Sequence, residues 1–398
     1  MQFIDLSAQQ KRIRNEIEAN IRKVLDHGLY IMGPEVNKLE EKLAEFINVK
    51  HAVSCASGTD ALLLSLLTYN VGPGDAVFTT PFTFIATAEM ISLLRATPVF
   101  VDIDPKTFNI DPDHLNKAIT AINDQDPSVY SLPRALKHEL PKITPKGVIA
   151  VDLFGLPCNF DHINSVAEKH GLFVIEDAAQ SFGAEYKGKK ACSIAEIGCT
   201  SFFPAKPFGC YGDGGMCFTD NDKLEEIMQS LRVHGKGNHK YENIRIGING
   251  RLDTLQAAIL LAKFEIFPEE VELRHKAASK YTELLIAAGN KLSAPFVPDG
   301  YKSVWAQYSV LASDEEHRTN LQTKLRDAGI PTAIYYPKPL HLQAAFASLG
   351  YKEGDFPICE DFARRIFSLP MHPYLKKEEQ EKIADIVKNP SRPSCSSW

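Results

Sequence analysis

Short apolar runs alternate with amphipathic helical stretches from residue 50 to residue 265, and few folds accommodate that pattern. The runs AVSC (52–55), AVFTT (76–80), PVFVDI (98–103), GVIAVDLF (147–154), LFVIED (172–177), CTSFFP (199–204) and GMCFTD (215–220) have the length and composition of strands. Helical patterns lie between most of them: DALLLSLLTYN (60–70), FIATAEMISLLR (84–95) and DHINSVAEKHG (161–171). Such alternation predicts an α/β fold with a mostly parallel sheet covered on both faces. Sheets of that kind bind ligands beyond the carboxyl ends of their strands. The connection from 178 to 198 is an exception and lacks a helical pattern.

The two strands joined by that connection carry the chemistry. One ends at Asp177, and the other leads through SFFPAK (201–206) to Lys206. A lysine amine can form a Schiff base with the aldehyde of pyridoxal phosphate, and a carboxylate can keep the pyridine nitrogen protonated so that the ring withdraws electrons. A lysine serves as a nucleophile when its pKa is lowered, which a buried strand end can do. By default a lysine is a surface residue, but the surroundings FFPAKPF carry no other charge. Carboxylates at strand ends also cap turns. Asp177 is set apart by its company: Gln180, Ser201, Lys206 and the glycine turn GDGG (212–215), whose glycines permit tight turning beside the lysine.

A phosphate site fits the small-residue turn that opens SGTDALLLSLL (57–67). Ser57, Gly58 and Thr59 would offer backbone N–H groups and hydroxyls at the positive end of a helix, although Ser and Thr there also serve as ordinary N-caps. Ser201, five residues before Lys206, could add a hydroxyl. Phe84, in PFTFIATAE, is the candidate to stack on the pyridine face; on its motif alone it would be a core aromatic. Gln180 could contact the cofactor ring or its hydroxyl, or simply begin a turn.

Composition removes other classes. The net charge is −6, without a basic block, so neither nucleic acid nor an anionic membrane is an expected partner. The start, MQFIDLSAQQKRIRNEI, lacks the apolar core of a signal peptide. None of the eight cysteines is spaced as CxxC, so reduced, buried thiols in a cytoplasmic protein are expected, with no metal site. A length of 398 residues suggests more than one domain. The pattern divides into a large domain over 1–265 and a smaller α+β domain over 266–388. The helix within LDTLQAAILLAKFEIF is expected to be buried or to form an interface. The polar, proline-rich stretch 120–146 predicts an inserted surface loop with a short helix, and the Pro/Ser-rich tail 389–398 predicts disorder.

Taken together, SGTDAL, PFTFIATAE, VIEDAAQSFGA, SFFPAKPFGCYGDGG, RVHG, NGRLDTLQAA and SLPMHPYL resemble the DegT/DnrJ/StrS-type nucleotide-sugar aminotransferases of the PLP fold type I (aspartate aminotransferase-like) class. The resemblance runs from FIDL (3–6) to about residue 388. The wording of RLDTLQAA and SLPMHPYL is most similar to enzymes that aminate C3 of a UDP-linked 3-keto sugar, often a uronic acid, for surface polysaccharide (lipopolysaccharide or O-antigen) synthesis.

The resemblance implies roles. Lys206 binds the cofactor and then moves protons, Asp177 pairs with the pyridinium, and Gln180 contacts the ring. Ser57, Gly58, Thr59 and Ser201 hold the phosphate, and Phe84 stacks. It also implies a homodimer with composite sites, with Asn249 reaching the neighbouring subunit's cofactor phosphate and Arg251 its substrate pocket. Tyr335, Tyr336 and His341, from IYYPKPLH, would lie near the sugar nucleotide. Relatives often carry histidine where Tyr335 stands. The implied reaction takes an amino group from L-glutamate through pyridoxamine phosphate to the keto sugar. The alternatives are C4 amination of a UDP- or dTDP-4-keto-6-deoxy sugar, an amino-acid aminotransferase and a non-catalytic PLP-binding regulator. A sugar dehydratase of the same family would carry histidine in place of Lys206.

Overall fold

The structure, a computed structural model, describes residues 1–239, 241–288 and 292–388, so the tail 389–398 lies outside the described residues. All seven sequence-predicted runs form one sheet: β1 (His51–Cys55), β2 (Asp75–Thr79), β3 (Thr97–Phe100), β4 (Thr144–Val151), β5 (Phe173–Asp177), β6 (Ile197–Ser201) and β7 (Gly215–Thr219). Their order is β1-β7-β6-β5-β4-β2-β3. The pairs from β3 through β6 are parallel, whereas β7 runs antiparallel to both β1 and β6. The chain between β6 and β7 explains the reversal: it contains no helix, and a parallel return would need a crossover.

Helices cover both faces. They include α1 (Leu6–His27), α2 (Pro34–Ile47), α3 (Gly58–Thr68), α4 (Ala86–Leu93), α5 (Pro112–Asn123), α6 (Phe160–His170) and α7 (Asp222–Leu231). Helix α3 is apolar almost all round and buries Ala61, Leu62, Leu64 and Leu66, as expected of a helix packed on a sheet and covered from outside. The connection 178–198 carries the strand pair Glu185–Tyr186 and Lys189–Lys190 in place of a helix.

Helix α8 (Thr254–Phe264) packs against α1 and α2 and buries Ala257, Leu260 and Leu261. Its apolar surface is therefore covered within the chain, as the buried alternative expects. After α8, the long α9 (Phe267–Ala288) leads to an antiparallel pair, β8 (Tyr308–Leu311) with β9 (Ile366–Leu369), and to α10 (Glu315–Asp327), α11 (Pro357–Arg365) and α12 (Lys377–Lys388). Tyr281, Tyr308, Leu321, Phe367 and Ile383 form a hydrophobic cluster there.

The 120–146 stretch is more firmly anchored than its polarity suggests. Leu132, Leu136 and Leu140 enter the core cluster beneath α5 and α6, and Arg134 holds Asp355 through two hydrogen bonds of 2.5 and 3.0 Å. Among the described residues no helix is long and apolar enough to cross a membrane.

Candidate active site

The site forms where β5 and β6 end side by side, with Asp177 paired in register to Cys199. Asp177 is buried. Its Oδ2 accepts a hydrogen bond from the Thr87 hydroxyl at 2.7 Å, and its Oδ1 accepts from the Ala179 N–H at 3.2 Å. Burial pushes the carboxyl upward from its ordinary value, while Thr87, Ala179 and nearby Lys206 pull it back. For Lys206 the balance is the mirror image: burial lowers the amine and Asp177 raises it. Each group thus eases the charge of the other, and a lowered amine is closer to the neutral form that attacks an aldehyde.

A closed loop presents Lys206. Phe202 N–H donates to the Gly214 carbonyl, and Cys210 N–H donates to the Phe202 carbonyl, each at 2.7 Å; inside that frame Lys206 N–H donates to Phe203 at 2.9 Å. Gln180 is oriented as firmly. Its Oε1 accepts from the Phe154 N–H at 2.8 Å, and its Nε2 donates to the Tyr336 hydroxyl at 3.3 Å. Those contacts fix which end of the amide faces which neighbour.

A cradle of small residues lies beside the loop. Ser57 caps α3 by accepting from the Asp60 N–H at 3.0 Å. A Cβ at Gly58 would fall 2.6 Å from Ser201 Cβ, and one at Gly215 only 2.3 Å from the Ser57 carbonyl. Side chains there would drive α3 away from β6 and β7. As built, Ser57, Gly58, half-buried Thr59 and Ser201 converge on the first turn of a helix, whose amides lack intrahelical partners. Phe84 begins the segment that supplies Thr87, which donates its N–H to the Phe84 carbonyl. Its ring is 57% exposed, unlike the core aromatic its motif alone would suggest. Cradle, oriented carboxylate, lowered lysine and exposed ring together fit a phosphorylated pyridoxal.

The substrate candidates separate. Tyr336 joins the site through Gln180, and half-buried Tyr335 lies against Phe3, with ring centroids 6.4 Å apart. Asn249 is exposed and accepts from Arg251 Nη2 at 2.6 Å, while Arg251 Nε is buried without a partner. His341 departs from expectation. Its side chain is fully buried, 2.9 Å from Glu360 Oε1, and packed on Phe356. A polar ring sealed in this way orders the loop after Tyr336 and has no surface to offer a sugar.

Several supporting residues escaped the sequence. Thr87 reads as a helix-face threonine until the fold places it on Asp177. Glu176 looks like a strand residue beside the important aspartate, but side chains alternate along a strand, so it points to the opposite face. There it accepts from the N–H groups of Cys192 and Ile194, and burial raises it to about 7. Asp152 accepts from the Ser181 hydroxyl at 2.8 Å and donates its own N–H to the Asp177 carbonyl. Its carboxyl also lies well above the ordinary range, through burial and the neighbouring Glu176. An acidic residue in the middle of an apolar strand is the one available signal for such groups.

Comparison with known proteins agrees with this geometry. The profile of the DegT/DnrJ/EryC1/StrS aminotransferase family matches residues 11–388. The chain is 48% identical over 375 residues to a UDP-2-acetamido-2-deoxy-3-oxo-D-glucuronate aminotransferase of Pseudomonas aeruginosa, covering 94% of this chain and 96% of the relative. It is 39% identical to a UDP-N-acetyl-3-dehydro-alpha-D-glucosamine 3-aminotransferase of Acidithiobacillus ferrooxidans, covering 97% and 98%. A DegT DnrJ EryC1 StrS aminotransferase from Brucella abortus superposes with a TM-score of 0.90 at 45% identity, covering 98% and 99%. NtdA from Bacillus subtilis, solved with bound cofactor PMP, superposes with a TM-score of 0.83 at 28% identity, covering 97% and 83%.

Proposed function

This chain belongs to the DegT/DnrJ/EryC1/StrS aminotransferase family, and on that premise we propose that it aminates C3 of a UDP-linked 3-keto-N-acetylhexosamine or its uronic acid, with L-glutamate as donor. It is a PLP-dependent enzyme. The observation that carries the substrate assignment is the 48% identity across nearly the whole chain with an aminotransferase of a UDP-3-oxo uronic acid.

Pyridoxal phosphate, when bound, supplies the electron sink and the amino-group carrier. The chain supplies placement and proton transfer. The α3 turn and Ser201 would hold the phosphate, and Phe84 would pack against the ring. Asp177, oriented by Thr87 and Ala179, would pair with the pyridine nitrogen and favour its protonated form. Gln180, fixed by Phe154 and Tyr336, would contact the ring. Lys206 would hold the cofactor and, as general base and acid, would move the proton at the substrate carbon. Tyr336, anchored on Gln180, and Tyr335 border the sugar space.

The rim is best read as shared between two copies. Leu29, Tyr30 and Ile31 are exposed, and they adjoin the Asn249–Arg251 segment through the Ile31–Asp253 bridge and the Thr254 N–H to Tyr30 bond. An apolar surface beside an arginine with an unpartnered Nε suits a homodimer contact that delivers a cation to a neighbouring anionic substrate. The buried, free cysteines favour a reducing compartment, the cytoplasm.

C4 amination is the second reading, and the two relatives above, both named for a 3-keto sugar, disfavour it. The test loads the enzyme with pyridoxamine phosphate, offers UDP- and dTDP-linked 3-keto and 4-keto sugars in turn, and follows the cofactor's visible absorbance. Return of the PLP spectrum with a UDP-3-keto sugar is expected. Return with 4-keto sugars only would move the reaction to C4.

A further inference from the structure

A second lysine lies behind the first. Lys263, on α8, is 1% exposed. Its Nζ donates to the Gly209 carbonyl at 2.6 Å and sits 4.4 Å from the centre of the Tyr211 ring. Gly209 belongs to the loop that presents Lys206, and it packs so closely on the turn before the lysine that a Cβ there would lie 2.4 Å from the Phe203 carbonyl and 2.8 Å from that of Pro204. The Phe203 carbonyl is also the acceptor for the Lys206 N–H. Contact thus runs without a gap from Lys263 through Gly209 and Phe203 to Lys206.

A buried ammonium is expensive unless something compensates it. Burial lowers Lys263 to about 8, and Glu270 and Cys210 hold it up. Glu270, on α9, is itself fixed by Gln9 and by Tyr374, and Arg12 lies beside Tyr374. A network of this size for one loop carbonyl is unnecessary for packing alone, because a methionine would fill the same space without a charge to compensate. A sub-ångström shift of the loop would move Lys206 Nζ directly, and misplacement of a reacting group by about 1 Å can cost about 100-fold in rate.

We propose that Lys263 is a positioning residue that fixes the Lys206 loop through the Gly209 carbonyl and so sets the geometry of the cofactor-binding amine. The inference rests on the assignment of Lys206 as that amine.

The test compares holoenzymes of wild type, Lys263→Met and Lys263→Arg. It records visible cofactor absorbance against pH, glutamate turnover, and melting temperature. A loosened loop admits water to Nζ, so the pH at which Lys206 engages the cofactor should rise in the methionine variant. Its kcat should fall about 10- to 100-fold with KM changed less than about threefold, and arginine should restore most of the loss. A methionine variant with wild-type midpoint and kcat overturns the proposal, as does a loss that tracks the unfolded fraction alone. If that variant does not fold, Tyr211→Leu replaces it: a midpoint shift of the same sign supports the clamp, and unchanged midpoint and kcat contradict it. Wild type that shows no lysine-linked cofactor band contradicts the Lys206 assignment itself, a failure distinct from that of Lys263.

Discussion

The floor and the rim of this site are built in opposite ways. On the floor, Asp177, Gln180 and the Lys206 loop each have partners within the chain, at the ends of two adjacent strands. On the rim, Phe84 is 57% exposed, Asn249 is exposed, and Arg251 leaves Nε buried without a partner. A cofactor that stays through every cycle benefits from a preorganised bed. A sugar nucleotide that enters and leaves needs a surface assembled around it. The contrast teaches that the residues proposed for the chemistry are preorganised within the chain, whereas those proposed for substrate are not.

The largest expected effect strikes the floor. Lys206→Ala should lower turnover on the order of 10⁴-fold or more, the scale of single catalytic groups, with circular dichroism and melting temperature unchanged. Normal turnover in that variant would falsify the assignment of the lysine.

Next comes the frame of the floor. Arg232, 4% exposed, reaches Glu40 on α2 at 2.5 Å and the Ser54 carbonyl on β1 at 2.9 Å. Arg232→Ala leaves the Glu40 carboxylate without its ion-pair partner and should cost about 3–5 kcal/mol in denaturant unfolding. A loss below about 1 kcal/mol would show that the frame tolerates the gap.

A buried acid behind the floor, on the opposite face of the strand that ends at Asp177, gives the fold a pH signature. Glu176 binds its proton more tightly folded, at about 7 against 4.5 unfolded. That contribution to stability is fully present below pH 4.5 and is lost as pH rises to about 7. The cofactor-free chain should lose up to about 1.4 kcal/mol per pH unit across this window. Glu176→Gln should flatten the slope; an equally steep slope in that variant would assign the titration to other groups, Asp152 first.

The smallest effect belongs to the rim. Phe84→Ala should change stability by no more than about 0.5 kcal/mol, since the ring is exposed. It should weaken cofactor binding by about 5- to 10-fold, the worth of a stacked ring. A large stability loss without a change in cofactor affinity would place Phe84 in the core instead.

The sheet was legible because its strands are uninterrupted apolar runs, and the meeting of Asp177 with Lys206 was legible because both follow strand ends, where sequence spacing and spatial position coincide. Thr87 and Asp152 were hidden because their contacts with Asp177 span 90 and 25 residues of chain, and only the parallel sheet brings them together. His341 misled for the opposite reason. It stands five residues after Tyr336, which bonds to Gln180, yet the chain turns inward at Leu340–Leu342 and Glu360 captures the ring. The 120–146 stretch looked polar because its three core leucines are spaced four apart among charged and proline residues. The reversal of β7 could have been inferred from the missing helix after Lys206.

Shared rims can be tested by mixing two inactive variants, Lys206→Ala and Arg251→Ala, under conditions that exchange subunits. If each site takes Lys206 from one copy and Arg251 from the other, mixed dimers hold one intact site. Random pairing should then restore about a quarter of wild-type turnover. Turnover no greater than the sum of the two variants alone would mean that floor and rim come from the same chain.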